Sequence, residues 1–135
     1  MRYLPTRGAK AAAVTGGLAA IAIAFAAPTA GATANRIAVL PGINFGLGTN
    51  YGTGCTYMIE AIVDDAAVPV AFYDNGVPIG TIRPSGGVAL LQWVPGSVGT
   101  HTIAAFQAPD AKQGIAIDIR VATGVHLGYG CNVFG

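Results

Sequence analysis

Hydrophobic residues along the chain fall into short runs at period two, each closed by a turn signal. Cys55, Tyr57, Ile59, Ala61 and Val63 share one face, while Thr56, Met58, Glu60, Ile62 and Asp64 share the other. This is the alternation of a half-buried strand. The same reading places strands over Val68–Tyr73, Val77–Arg83, Val88–Val94, Thr100–Gln107 and Gly114–Thr123, with Val70, Phe72, Ala89, Leu91, Trp93, Ile103 and Ala105 in phase on the core side. A shorter apolar run, Arg36–Leu40, ends at Pro41-Gly42. Between the runs stand Asp64-Asp65-Ala66-Ala67, Asp74-Asn75-Gly76, Pro84-Ser85-Gly86-Gly87 and Pro95–Gly99. All are turn formers, and Asn-Gly tolerates the positive φ of a tight hairpin. Pro78 cannot donate to a ladder, which assigns its strand to a sheet edge. Seven to eight short strands and no helical window predict an all-β antiparallel sandwich for Asn35–Gly135, the size of one domain.

Two stretches break the pattern. Gly42–Gly54 is too rich in glycine for a helix or a regular central strand, and is expected to be an irregular connection with at most a short edge strand at Ile43–Leu47. The tail, Gly124–Gly135, echoes it: Tyr51-Gly52-Thr53-Gly54-Cys55 and Leu127-Gly128-Tyr129-Gly130-Cys131 share the order apolar-Gly-x-Gly-Cys. The two segments are expected to pack side by side.

The N-terminus changes the picture of charge and compartment. Arg2, Arg7 and Lys10 precede an apolar run, Ala11–Ala27, and small residues follow at Ala32-Thr33-Ala34. This is the form of a helical signal peptide over residues 1–34, cleaved after Ala34 or, as second choice, after Ala32. The remaining chain carries four bases against six acids, a net of −2 where the whole chain is +1. That balance gives no electrostatic footprint for nucleic acid or for an anionic membrane. Export also bears on Cys55 and Cys131, which are expected to form a disulfide. A bridge closing so long a loop contributes about 4–5 kcal/mol in the chain-entropy picture.

The central stretch resembles the bacterial immunoglobulin-like repeat family of secreted and cell-wall proteins. The matching residues are Val70-x-Phe72-x-Asp74-Asn75-Gly76-x-x-x-Gly80-Thr81, then Gly87, Ala89, Leu91 and Trp93 before Pro95, and finally Gly99-Thr100-His101-Thr102-Ile103-x-Ala105. Within the family it is similar to small single-domain forms exported by actinobacteria. The resemblance implies an immunoglobulin-like fold, an extracellular or cell-surface location and no catalysis, since the shared residues are turn formers and core positions. Two features depart from the family: the repeat occurs once, and the cysteines do not sit where antibody domains place theirs.

Candidate chemistry is sparse. The histidines are His101 and His126, and the serines of the predicted domain, Ser85 and Ser97, both lie in turns. No nucleophile motif accompanies them. Asp64-Asp65, Asp74 and Asp110 lack calcium-loop spacing, and the cysteines lack zinc spacing. No metal or cofactor is expected, and no enzymatic activity. The expected function is contact with an unknown protein or cell-surface component through the cysteine-joined end, where Asn44, Phe45, Tyr51, His126 and Tyr129 surround flexible glycines. The alternative is an extracellular carrier of a small apolar ligand in a cleft of the sandwich.

Overall fold

A computed structural model describes residues 33–46, 48–107 and 114–135. Residues 1–32 of the expected signal helix, Leu47 and residues 108–113 lie outside the described residues, whereas Thr33 and Ala34, counted with that helix, belong to the domain, Ala34 opening the first strand. The elements are all strands: β1 Ala34–Leu40, β2 Asn44–Phe45, β3 Tyr57–Val63, β4 Val70–Asp74, β5 Val77–Ile82, β6 Val88–Trp93, β7 Gly99–Gln107, β8 Gly114–Val121, β9 Thr123–His126 and β10 Cys131–Phe134.

They form a sandwich-like all-β fold of antiparallel sheets. One sheet has the order β1-β3-β6 and the other β5-β4-β7-β8. Alternation explains how they close. Along β3, Tyr57, Ile59, Ala61 and Val63 are buried while the residues between them are not. Val70 and Phe72 of β4 and Ile103 and Ala105 of β7 point inward with no exposed surface. Ala89 and Trp93 of β6 complete the layer, and all these residues belong to one core cluster. Each large aliphatic or aromatic side chain buried there contributes about 1.5–3 kcal/mol from removal of apolar surface.

The edge assignment follows from Pro78: β5 pairs only with β4, and the register slips between Phe72 and Tyr73 opposite Pro78. The β4–β5 hairpin turns on Asn75 (φ 50°) and Gly76 (φ 82°), the left-handed pair that a two-residue hairpin requires.

The tail departs from the expected single extended run. After β8 the chain continues as β9, reverses, and returns as β10 antiparallel to it. β10 also pairs in parallel with β2, through Cys131↔Asn44 and Asn132↔Phe45. The result is a third sheet, β2-β10-β9, and ten strands in place of seven to eight. The strand expected from Cys55 begins at Tyr57, because Cys55 is committed to the junction with this small sheet.

Candidate functional site

The two glycine-rich segments meet at one end of the sandwich, joined by the Cys55–Cys131 disulfide, whose Cα atoms are 5.9 Å apart. Close backbone approach is what the glycines supply here. A Cβ on Gly52 would fall 2.7 Å from the Gly124 Cα and 3.0 Å from the Cys131 Sγ, so neither backbone could come so near with a larger residue. Thr53 N–H donates to the Ala122 carbonyl (2.9 Å) and Ala122 N–H to that of Tyr51 (3.0 Å). Together these contacts lay the 49–55 loop along the end of β8.

Tyrosine hydroxyls fasten the same end from within. Tyr51 donates to the Val39 carbonyl at 2.6 Å. Tyr57 donates to Asn44 Oδ1 at 3.1 Å and accepts from the Gly52 N–H at 2.7 Å. Asn44 in turn donates to the Pro41 carbonyl. Burial raises both phenols above their ordinary value: Tyr51 is pushed further by neighbouring Tyr57, while the Gly52 N–H partly offsets the rise at Tyr57.

The aromatic contacts continue inward. Tyr51 meets Tyr57 at 5.1 Å between ring centroids, Tyr57 meets Trp93 at 6.0 Å, and Trp93 meets His101 edge-on at 5.6 Å. This row of rings ends on Asp74, which accepts from Trp93 Nε1 at 3.0 Å and faces His101 Nδ1 at 2.7 Å. Ser97 Oγ lies 3.4 Å from His101 Nε2, so a serine, a histidine and an aspartate do come together.

Their geometry is not that of an activated nucleophile. His101 Nε2 sits 2.8 Å from the Ser97 carbonyl and 3.4 Å from the hydroxyl, so the ring is seated on the backbone of the turn rather than on the hydroxyl. His101 is also 4% exposed. The cluster ties the Pro95–Gly99 turn to β4. Among the described residues no three His, Cys, Asp or Glu side chains converge as a metal site.

The five side chains expected at the contact surface divide. Phe45, His126 and Tyr129 are exposed, and Tyr129, 73% exposed, stands farthest out. Asn44 and Tyr51 are half-buried, and their polar groups are engaged in the contacts above. Composition read residue by residue missed Ile43, Val125, Leu127 and Phe134, which are exposed beside them. With Phe45 and Tyr129 these make six of the twelve large hydrophobic side chains exposed among the described residues, all from the two glycine-rich segments. One signal marks them in the sequence. No Asp, Glu, Lys or Arg stands between Arg36 and Glu60, and none after Arg120.

Two hollows accompany this surface. A cleft of about 120 Å³ is lined at the stapled end by Ile43, Asn44, Tyr57, His126, Tyr129 and the disulfide, among others. A larger apolar groove of about 360 Å³ lies on the outer face of β4 and β7, lined by Tyr73, Gly76, Thr102, Ala104 and Phe106. The two rings meet edge-on at 5.6 Å.

No family model matches the chain, and a search of curated proteins finds no match.

Proposed function

We propose that the chain is a secreted, non-catalytic immunoglobulin-like module. It acts outside the cell or at its wall by contact with another protein or a cell-surface component, and docks through the stapled end. The observation that carries this reading is the uncharged surface of that end, with six exposed large apolar side chains. Depletion of charge with enrichment of aromatic residues is the composition of an interface core rather than of ordinary surface. The immunoglobulin-like assignment is supported by the family motif in the sequence together with the order β1-β3-β6 facing β5-β4-β7-β8. The disulfide supports an oxidising compartment.

The experiment is capture of cell-surface material on the immobilised protein. Phe45→Ala/Tyr129→Ala is compared with Tyr73→Ala/Phe106→Ala, which alters the outer face of β4 and β7. Capture lost only in the first variant supports docking at the stapled end. Equal capture by both removes its basis.

A second reading has its own observation. The groove lined by Tyr73 and Phe106 is of the size that holds small ligands, roughly 300–1,000 Å³. It suits a carrier of a small apolar molecule, held on the outer sheet face because the space between the sheets is filled by core side chains. Binding of a fluorescent apolar dye that Phe106→Ala abolishes would favour this reading, and dye binding unaffected by it would exclude the groove.

A further inference from the structure

We propose that the stapled end binds a second copy of the chain, as a two-fold pair in which the Tyr129 ring of each copy enters the cleft of the other. The inference rests on the docking-end reading above and names its partner.

Tyr129 has the form of an anchor. It sits on the turn between β9 and β10, which is closed by the Leu127 N–H donating to the Gly130 carbonyl at 2.8 Å. One side of its ring is braced edge-on by Phe45 at 6.4 Å. A projecting aromatic already fixed by a neighbour loses little rotamer freedom on docking.

The receptor for such an anchor lies beside it. The cleft has an apolar wall at Ile43 and the disulfide, and polar groups at Asn44, Thr56, Tyr57 and His126. A phenol has the same division, an apolar ring and a hydroxyl at its tip. Knob and hole thus occupy the same end of one molecule, which is the requirement for an isologous contact, where each copy presents the same patch to the other.

Charge points the same way. The two glycine-rich segments hold no acidic or basic side chain other than His126, so the patch meets its own image without like-charge repulsion. A strongly charged partner would gain nothing there.

Area sets the strength. Tyr129, Phe134 and Phe45 are 73%, 53% and 47% exposed. At ~150–250 Å² for a whole aromatic side chain, the three rings keep roughly 260–430 Å² outside. With the aliphatic neighbours this approaches the low end of specific interfaces, which bury about 600–800 Å² per partner. The pair is therefore weak and populated at high concentration.

Sedimentation velocity of the exported, disulfide-intact protein from micromolar to near-millimolar concentration tests the proposal. The expected result is a monomer–dimer equilibrium with no larger species. Tyr129→Ser removes both anchors of the pair and weakens it roughly 100–900-fold, at about 10–30-fold for each buried aromatic lost. Ile43→Asp, which sets two carboxylates at the joint, abolishes it, and near-ultraviolet dichroism verifies that both variants are folded. A wild-type protein that stays monomeric throughout, or a dimer indifferent to both substitutions, overturns the proposal. If the monomer still captures surface material in a Tyr129-dependent way, the second copy is wrong and the docking end stands. If it does neither, both readings fall.

Discussion

His101 and Asp74 face each other across the β4–β7 pair, the imidazole Nδ1 lying 2.7 Å and 2.9 Å from the two carboxylate oxygens. Asp74 also accepts from the Trp93 indole in the other sheet, so this one carboxylate joins three strands at the mouth of the core. Asp74→Ala leaves two largely buried donors without an acceptor. The expected loss is about 2–4 kcal/mol in urea unfolding. Ser97→Ala, which keeps the carbonyl that His101 bonds, should change stability by less than ~0.5 kcal/mol. A large effect of Ser97→Ala would show that the hydroxyl does more than the geometry grants it.

The disulfide spans 76 positions, and both its sulfurs are buried. Cys55→Ser/Cys131→Ser should lower stability by about 2–5 kcal/mol. In the wild type the bond should resist a mild reductant in native buffer and yield once urea opens the stapled end. Thiol counting over time with and without denaturant checks this.

Alkali should act on the same end. Burial raises the Tyr51 and Tyr57 phenols above 10.0, the ordinary value. A raised folded-state pKa means the contribution is whole below the unfolded value. Stability then falls as pH climbs past about 10 toward the folded values, because the unfolded chain ionises first. Tyrosinate absorbance should therefore rise in step with loss of near-ultraviolet dichroism. In Tyr57→Phe the fall of stability with pH should be shallower, although its stability at neutral pH is lower for want of the Gly52 and Asn44 bonds.

The start of β1 bears on where the proposed leader would be removed. Thr33 donates its hydroxyl to Asp64 at 2.6 Å, its carbonyl accepts from the Asp64 N–H at 3.0 Å, and Ala34 is buried against the core. Cleavage after Ala34 would discard all of these, whereas cleavage after Ala32 keeps them. Mass spectrometry of the exported form should find Thr33 as its first residue.

Asp64 should report the difference between the two termini. Its carboxyl is held below the usual range by the hydroxyl of Thr33 and then by the amide of Asn35. The stabilisation it gives is present above the ordinary carboxylate pKa and lost as pH falls through the lowered one. A chain beginning at Asn35 should show the Asp64 titration moved back toward its ordinary value in an NMR pH series.

Much of the fold was legible because period two carries it. Each buried residue of β3 stands where alternation from Cys55 put it, and Pro78 marked the edge by a missing N–H. The small third sheet was not legible. Asn44–Phe45 is too short to establish a period, and β9 and β10 are four residues each, with one glycine inside β9 and two in the turn between them. What sets their register is non-local: the disulfide and the Gly52–Gly124 approach. Tyr51 was expected at the surface and is half withdrawn, because its hydroxyl reaches the Val39 carbonyl. The His101 cluster gave no signal by spacing, since only the β4–β7 register brings positions 74 and 101 together.

Load applied to the two ends of the domain would be routed by the covalent loop. Pulled from Thr33 and Gly135, a domain without the bridge could extend to roughly 340–370 Å at ~3.3–3.6 Å per residue. With Cys55 tied to Cys131, tension passes directly between the sulfurs, and everything from β3 to β9 lies outside the line of force. Only the stretch before Cys55 and the few residues after Cys131 can extend, roughly 85–95 Å. A domain built this way would lengthen by a short, fixed amount as β1, β2 and β10 gave way, while β3 to β9 carried no load.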